Sequence, residues 1–152
     1  MEIERKYLVI SQEWRSLGAP VHYAQGYLVA DGERTVRVRI AGVDGYITIK
    51  GRSRGMSRKE FEYPVPVDDA SELLQLCTIP VIEKYRTRIN YDGKVWEVDE
   101  FEGENKGLIM AEIELVSEDE TFSVPPWIGE EVTGDIRYYN SRLAIHPFRS
   151  WE

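Results

Sequence analysis

The segment Glu2-Ile3-Glu4-Arg5-Lys6 places Glu2, Glu4 and Lys6 on alternate positions. Successive side chains of a strand point to opposite sides, so these three share one face. The same spacing returns along the chain. Arg37 and Arg39 flank Val38, Lys50 follows Ile47 and Ile49, and Arg58, Glu60 and Glu62 surround Phe61. Lys84, Arg86 and Arg88 alternate, Glu97 and Asp99 flank Val98, and Glu112 and Glu114 flank Ile113. An ordinary surface sheet also turns polar residues outward, but a solvated face intersperses the signs. Here basic residues come in sets and acidic residues in sets. Like charges at i and i+2 lie about 7 Å apart and repel unless an opposite charge sits between strands or a ligand is shared.

Alternation and turn residues give eight strand candidates, at about 1–9, 22–30, 33–41, 44–51, 57–66, 81–92, 94–102 and 108–118. Asp31-Gly32, Asp44-Gly45 and Asp92-Gly93 are hairpin signals, because Asp and Gly tolerate the positive φ of tight turns. Three segments read as helical: 12–17, 68–77 with Asp68 and Asp69 suited to its first turn, and 126–144 broken at Thr133-Gly134-Asp135. The fold class expected is therefore α+β. Eight antiparallel strands suffice to close a barrel, with the charged face inward as a polar tunnel and helices packed outside. Burying so many charges is costly unless they pair, stay wet or bind ions.

At 152 residues and 42% hydrophobic, the chain suits a single domain spanning 1–152. A formal net charge of −8 argues against nucleic acid as a partner. Cys77, the one cysteine, falls in the apolar run 73–77 and reads as a core thiol, consistent with a reducing cytoplasm. Acidic residues stand where a signal peptide would need basic ones, and the longest uncharged span, 17–30, is too short for a membrane segment. His22 and His146 read as structural or exposed. Trp14, Trp127 and Tyr138 read as core rather than as a platform for a ring.

Carboxylates on adjacent strands are hard oxygen ligands suited to Mg²⁺ or Mn²⁺, and no His or Cys has the spacing zinc requires. Arg37, Arg39, Lys50, Lys84 and Arg86 are the residue types that hold phosphate. Together they describe a polyphosphate–metal site, and no P-loop motif is present.

These residues resemble the CYTH superfamily, the triphosphate tunnel metalloenzymes, and the chain looks like its short bacterial-type inorganic triphosphatases. The resemblance is carried by Glu2-x-Glu4-x-Lys6, Val36-Arg37-Val38-Arg39, Thr48-Ile49-Lys50-Gly51, Arg58-Lys59-Glu60-Phe61-Glu62, Lys84-Tyr85-Arg86, Trp96-Glu97-Val98-Asp99 and Ala111-Glu112-Ile113-Glu114-Leu115. Later motifs, 131–135 and Arg137-Tyr138-Tyr139-Asn140, extend it to about residue 145. Glu100 departs from the pattern, standing where relatives carry an apolar residue. The resemblance implies an eight-stranded tunnel, dependence on a divalent cation and a triphosphate substrate. It assigns metal binding to Glu2, Glu4, Glu112 and Glu114, and phosphate contacts to Lys6, Arg37, Arg39, Lys50, Lys84 and Arg86. A second ion near Asp99 and Glu62 would activate water; alternatively Lys84 or a carboxylate is the base. The activity expected is cleavage of inorganic tripolyphosphate to pyrophosphate and phosphate. Adenylate cyclase and thiamine triphosphatase are alternatives within the fold, and a non-catalytic polyphosphate- or nucleotide-binding module is the alternative outside enzymes.

Overall fold

Where the sequence alternates, the backbone is extended, and the ladders are antiparallel. The computed structural model describes residues 2–151, so the start of the first expected strand, Met1, lies outside the described residues. Among the described residues there are ten strands: β1 (Glu2–Val9), β2 (Pro20–Ala30), β3 (Thr35–Ala41), β4 (Asp44–Lys50), β5 (Ser57–Arg58), β6 (Glu60–Val65), β7 (Ile82–Tyr91), β8 (Lys94–Phe101), β9 (Ile109–Glu114) and β10 (Ile128–Glu131). Two α-helices accompany them, α1 (Val67–Gln75) and α2 (Asn140–Ile145). No helix among the described residues is long and apolar enough to cross a membrane.

The closed eight-stranded barrel is corrected. The strands follow the open order β10-β1-β9-β8-β7-β2-β3-β4-β6, and β5 pairs with β1 off that path. The expected strand at 57–66 is interrupted at Lys59: Ser57 and Arg58 pair with Ile3 and Glu2, whereas Glu60–Val65 pair with β4. The same flank of β1 is taken farther along by β10, through Tyr7↔Glu131 and Val9↔Ile128. That strand replaces the first part of the helix expected at 126–144, because the far end of β1 needs a partner for its backbone polar groups. Two smaller differences are local. Residues 12–17 form only a 3₁₀ turn, Glu13–Ser16. The turn between β3 and β4 is made at Gly42 and Val43, ahead of Asp44-Gly45, with Ala41 facing Asp44. The Asp92-Gly93 hairpin forms as read, both residues having positive φ.

Each long strand presents two chemically distinct faces. The outer face of β1, β7, β8 and β9 carries Tyr7, Ile89, Trp96, Val98, Ala111 and Ile113, packed with Trp14, Leu115 and Trp127. Trp14, Trp127 and Tyr138 are 3%, 2% and 8% exposed, so all three are core. Glu100 is accommodated on this side by Arg15, whose guanidinium donates to both carboxylate oxygens at 2.7 and 3.0 Å. On β2, β3 and β4 the outer face is covered by α1. Contact is close enough to require glycine: a Cβ at Gly26 would meet the Sγ of Cys77 at 2.8 Å, and one at Gly45 would meet the Cβ of Ala70 at 2.8 Å and the Val65 carbonyl at 2.9 Å.

The inner face is charged along most of its length and then changes character. One step beyond Lys84, Asp99 and Glu112 on their strands come Ile82, Phe101 and Met110. These pack with Leu108, Val132, Tyr138, Leu143 and Ala144, so α2 and the segment before it seal that end with an apolar plug.

The glycine contacts give a test. Gly45→Ala should lower unfolding stability by about 1–3 kcal/mol in denaturant titration, because its added methyl has backbone on one side and a helix on the other. Gly32→Ala, where nothing lies within 4 Å, should be nearly neutral.

Candidate active site

Parity brings the charged residues to one place. A cavity of about 180 Å³ is lined by Glu2, Glu4, Lys6, Arg37, Arg39, Lys50, Arg58, Glu60, Glu62, Lys84, Arg86, Arg88, Glu97, Glu112 and Glu114. Among the residues expected to form the site, Asp99 alone does not line it. It is 2% exposed beneath the cavity wall, accepting from Arg86 Nε and Nη2 at 2.7 and 2.8 Å and lying 2.8 Å from the Lys84 ammonium. With both oxygens engaged, Asp99 anchors cations instead of facing the cavity. Glu62 is held apart from it on β6, where Thr48 donates to its Oε1 at 2.8 Å and Arg37 Nη2 approaches to 3.8 Å.

The carboxylates gather along β1 and β9. Glu4 faces Glu114 directly and Lys6 faces Glu112, while Glu112 also faces Glu97 of β8. Glutamates opposite one another in a ladder repel, and burial adds to the cost. Burial and the neighbouring Glu112 push the Glu4 carboxyl from its ordinary 4.5 up to about 7, against the pull of Lys50 and Lys6. Glu2 is raised too, chiefly by burial, although Lys50 lies 2.9 Å from its Oε1. Glu112 goes the other way: burial would raise it, but Lys6, Arg86 and Lys84 outweigh that and hold it at about 2. Among the described residues no three carboxylates or histidines converge into a ready-made metal cage. The donor chemistry of Glu2, Glu4, Glu112 and Glu114 nonetheless suits a hard divalent cation, whose charge would relieve the repulsion between Glu4 and Glu114.

The cations occupy β3, β4 and β7, with Lys6 of β1 and Arg58 of β5. Arg39 and Arg86 stand over the Tyr23 ring at 4.9 and 5.1 Å, and Lys6 over that of Tyr139 at 4.9 Å. Burial, together with Arg37 and Arg86, lowers Arg39 to about 9. Lys84 is lowered to about 7: burial, aided by Arg86 and Arg39, prevails over the attraction of Asp99. A cluster of closely packed cations short of partners is an anion receptor.

Several participants were given no site role by the sequence, although Thr48, Tyr139 and Asn140 fall in its motifs. Tyr27, Thr35, Thr48, Tyr139, Asn140 and Ser141 also line the cavity, and Gln25, wholly buried, touches Arg39 and Asn140. The parity of Tyr23, Gln25 and Tyr27 on β2 was the available signal for part of this group. The C-terminal residues reach the cavity only through tertiary packing. Cys77 is half-buried beside Gly26, His22 stacks obliquely on Tyr85 at the surface, and His146 is exposed, so none of the three enters the site.

Comparison with known proteins agrees with this architecture. The CYTH domain model matches residues 1–141. The chain belongs to the CYTH domain family. A protein named inorganic triphosphatase from Acetivibrio thermocellus is 50% identical over 152 residues, covering 99% of this CYTH chain and 97% of that protein. Another of that name, from Nitrosomonas europaea, is 38% identical over 148 residues, with 95% and 97% covered. Among solved structures, one described as an inorganic triphosphatase superposes with a TM-score of 0.67 at 35% identity, covering 95% of each chain. A protein from Pyrococcus horikoshii OT3 shares the fold with a TM-score of 0.60 at 23% identity, over 78% of this chain and 80% of that one.

The raised Glu4 carboxyl has a stability consequence with a definite sign. Between pH 4.5 and about 7 the folded state holds a proton here that the unfolded chain has released, so this group's contribution to stability falls as pH rises through that window. Without divalent cation, Glu4→Gln should therefore be more stable than wild type at pH 8, by on the order of 3 kcal/mol, and so melt higher, and the gain should vanish near pH 4.5. Thermal melts at the two pH values check this.

Proposed function

We propose that this CYTH protein hydrolyses inorganic tripolyphosphate to pyrophosphate and phosphate, using Mg²⁺ or Mn²⁺. The observation that carries the reading is a cavity with carboxylates on β1 and β9 and cations on β3, β4 and β7, in a chain 50% identical to a protein named inorganic triphosphatase. Glu2, Glu4, Glu112 and Glu114 would hold the cation. When bound, the cation neutralises phosphate oxygens and lowers the barrier to attack by water.

The remaining chemistry belongs to side chains. Lys6, Arg37, Arg39, Lys50 and Arg86 would bind the phosphate oxygens and stabilise charge moving to the leaving group, the main task of a catalyst of phosphoryl transfer. Lys84, which burial lowers to about 7, would in its neutral amine form take a proton from the attacking water at Nζ while still donating to Asp99 and Asn140. Asp99 would keep Lys84 and Arg86 in place, and Glu62 would position Thr48 and Arg37, supporting the catalytic groups in lieu of holding a second ion.

A panel of tripolyphosphate, ATP, thiamine triphosphate and pyrophosphate with Mg²⁺ or Mn²⁺, read for phosphate, pyrophosphate and cyclic AMP, tests this directly. Tripolyphosphate should be cleaved to one phosphate and one pyrophosphate, and excess chelator should abolish turnover. Full activity in chelator, with metal shown absent, would refute the role given to the glutamates. Arg39→Ala and Glu114→Gln should each reduce turnover about 10²-fold with the fold retained. Val38→Ala, on the opposite face of the same strand as Arg39, should lower the melting temperature first.

A further inference from the structure

Two neutral amides connect cavity cations that otherwise have little in common. Gln25 Oε1 accepts from Arg39 Nε at 2.9 Å, Gln25 Nε2 donates to Asn140 Oδ1 at 2.9 Å, and that same oxygen accepts from Lys84 Nζ at 2.9 Å. The direction of each bond is chemically forced. Arg and Lys only donate, so each needs an acceptor. Lys84 fixes Asn140 with its oxygen inward, that oxygen then calls for a donor from Gln25, and the carbonyl of Gln25 is left for Arg39. Neither amide can turn over without stranding a buried donor, which is costly.

Of the cations at the two ends, Lys84 also pairs with Asp99 at 2.8 Å, whereas Arg39 stands apart from its neighbours. Arg86 shares Asp99 and Glu97, and Lys50 has Glu2. Arg39 has no carboxylate within ion-pair distance among the described residues. Its side-chain contacts are the Gln25 amide and the Tyr23 ring, both uncharged. An acid at position 140 would accept the same two hydrogen bonds but cancel positive charge, whereas one at position 25 would keep the bond from Arg39 and lose the one donated to Asn140. An amide holds the group in place and leaves its charge for an incoming anion.

We infer that Gln25 and Asn140 form an electroneutral bridge that positions Arg39 and Lys84 for the substrate and leaves the charge of Arg39 without a carboxylate to cancel it. This rests on the reading that the cavity binds tripolyphosphate. Gln25 and Asn140 are positioning residues: they act through the two cations. The bridge also ties the C-terminal segment, at the first residue of α2, to the phosphate-binding wall.

Asn140→Asp separates this from a merely structural role, because the aspartate can accept from Lys84 and Gln25 as the amide does while adding a negative charge. The expected result is a kcat/KM for tripolyphosphate lower by roughly tenfold or more, carried mainly by a higher KM, with a melting temperature equal to or above wild type. Asn140→Ala should also lose kcat/KM but should melt lower. Asn90→Asp, an exposed neutral-to-acidic change on β7 outside the cavity lining, controls for net charge and should behave as wild type. Wild-type KM in Asn140→Asp would overturn the inference. If that variant does not fold, Gln25→Glu is read by its KM alone, because its carboxylate keeps the bond from Arg39 but cannot donate to Asn140. Failure of both to fold while Asn90→Asp does would overturn it as well, since an added acid beside these cations should strengthen the fold. A wild-type chain that neither binds nor cleaves tripolyphosphate would overturn the functional reading and this inference together. Wild-type cleavage with an unaffected Asn140→Asp would overturn this inference alone.

Discussion

The buried carboxylate of Asp99 is the interaction on which the cation wall depends. Lys84 and Arg86 stand two apart on one face of β7, where like charges repel, and both are nearly inaccessible to water. Asp99, directly opposite Arg86 on β8, bonds to both. Burial would raise its pKa, yet the two cations hold it well below the usual carboxylate range. Removing one partner from such an arrangement generally costs about 3–5 kcal/mol, because the charge left behind is uncompensated. Arg86 can then extend toward Glu97 and Lys84 toward Asn140. One acidic side chain with no surface on the cavity thus sets where two basic ones stand.

Around that anchor the cavity separates its signs. Acids dominate β1 and β9, bases dominate β3 and β7, and only some of them pair. The incomplete pairing shows in opposite displacements of proton affinity: Glu4 rises while Arg39 falls, each disfavoured as an ion by burial and by neighbours of its own sign. A molecule that brings both signs at once, as a metal–polyphosphate does, relieves both displacements. The same unpaired charge is a burden on folding, offset by the aromatic and aliphatic core on the opposite side of β1, β7, β8 and β9.

Much of this was legible in the sequence because a strand has a period of two. Arg37-Val38-Arg39 and Glu112-Ile113-Glu114 assign each residue to a face without further information, and the cavity receives the charged member in both cases. Asp99 has the right parity but lies beyond the cavity, a matter of depth that alternation does not encode. Gln25 and the tyrosines beside it were hidden by composition, since an amide or a phenol on a strand fits either face. Asn140 could be noticed as part of a motif, but its contact with Lys84 joins residues 56 positions apart. The strand at 128–131 is only four residues long, and its extended form follows from the free edge of β1 rather than from its own propensity. The break at Lys59 is likewise a tertiary effect, as two neighbouring strands draw the chain in different directions.

That break leaves a seam. Between β1 and the 57–58 segment the ladder amounts to Glu2↔Arg58 and Ile3↔Ser57, extended by one bond from the Glu4 amide to the Met56 carbonyl at 3.2 Å. β7 and β8, by contrast, run together from Lys84↔Phe101 to Tyr91↔Lys94. Local opening follows the weakest ladder, so breathing of the wall should concentrate at the seam. Its amides should exchange hydrogen with solvent well before those of the β7–β8 pair. The wall can therefore part beside Glu2 and Glu4 while the cations on the far side remain clamped, giving the molecule a yielding edge and a fixed one.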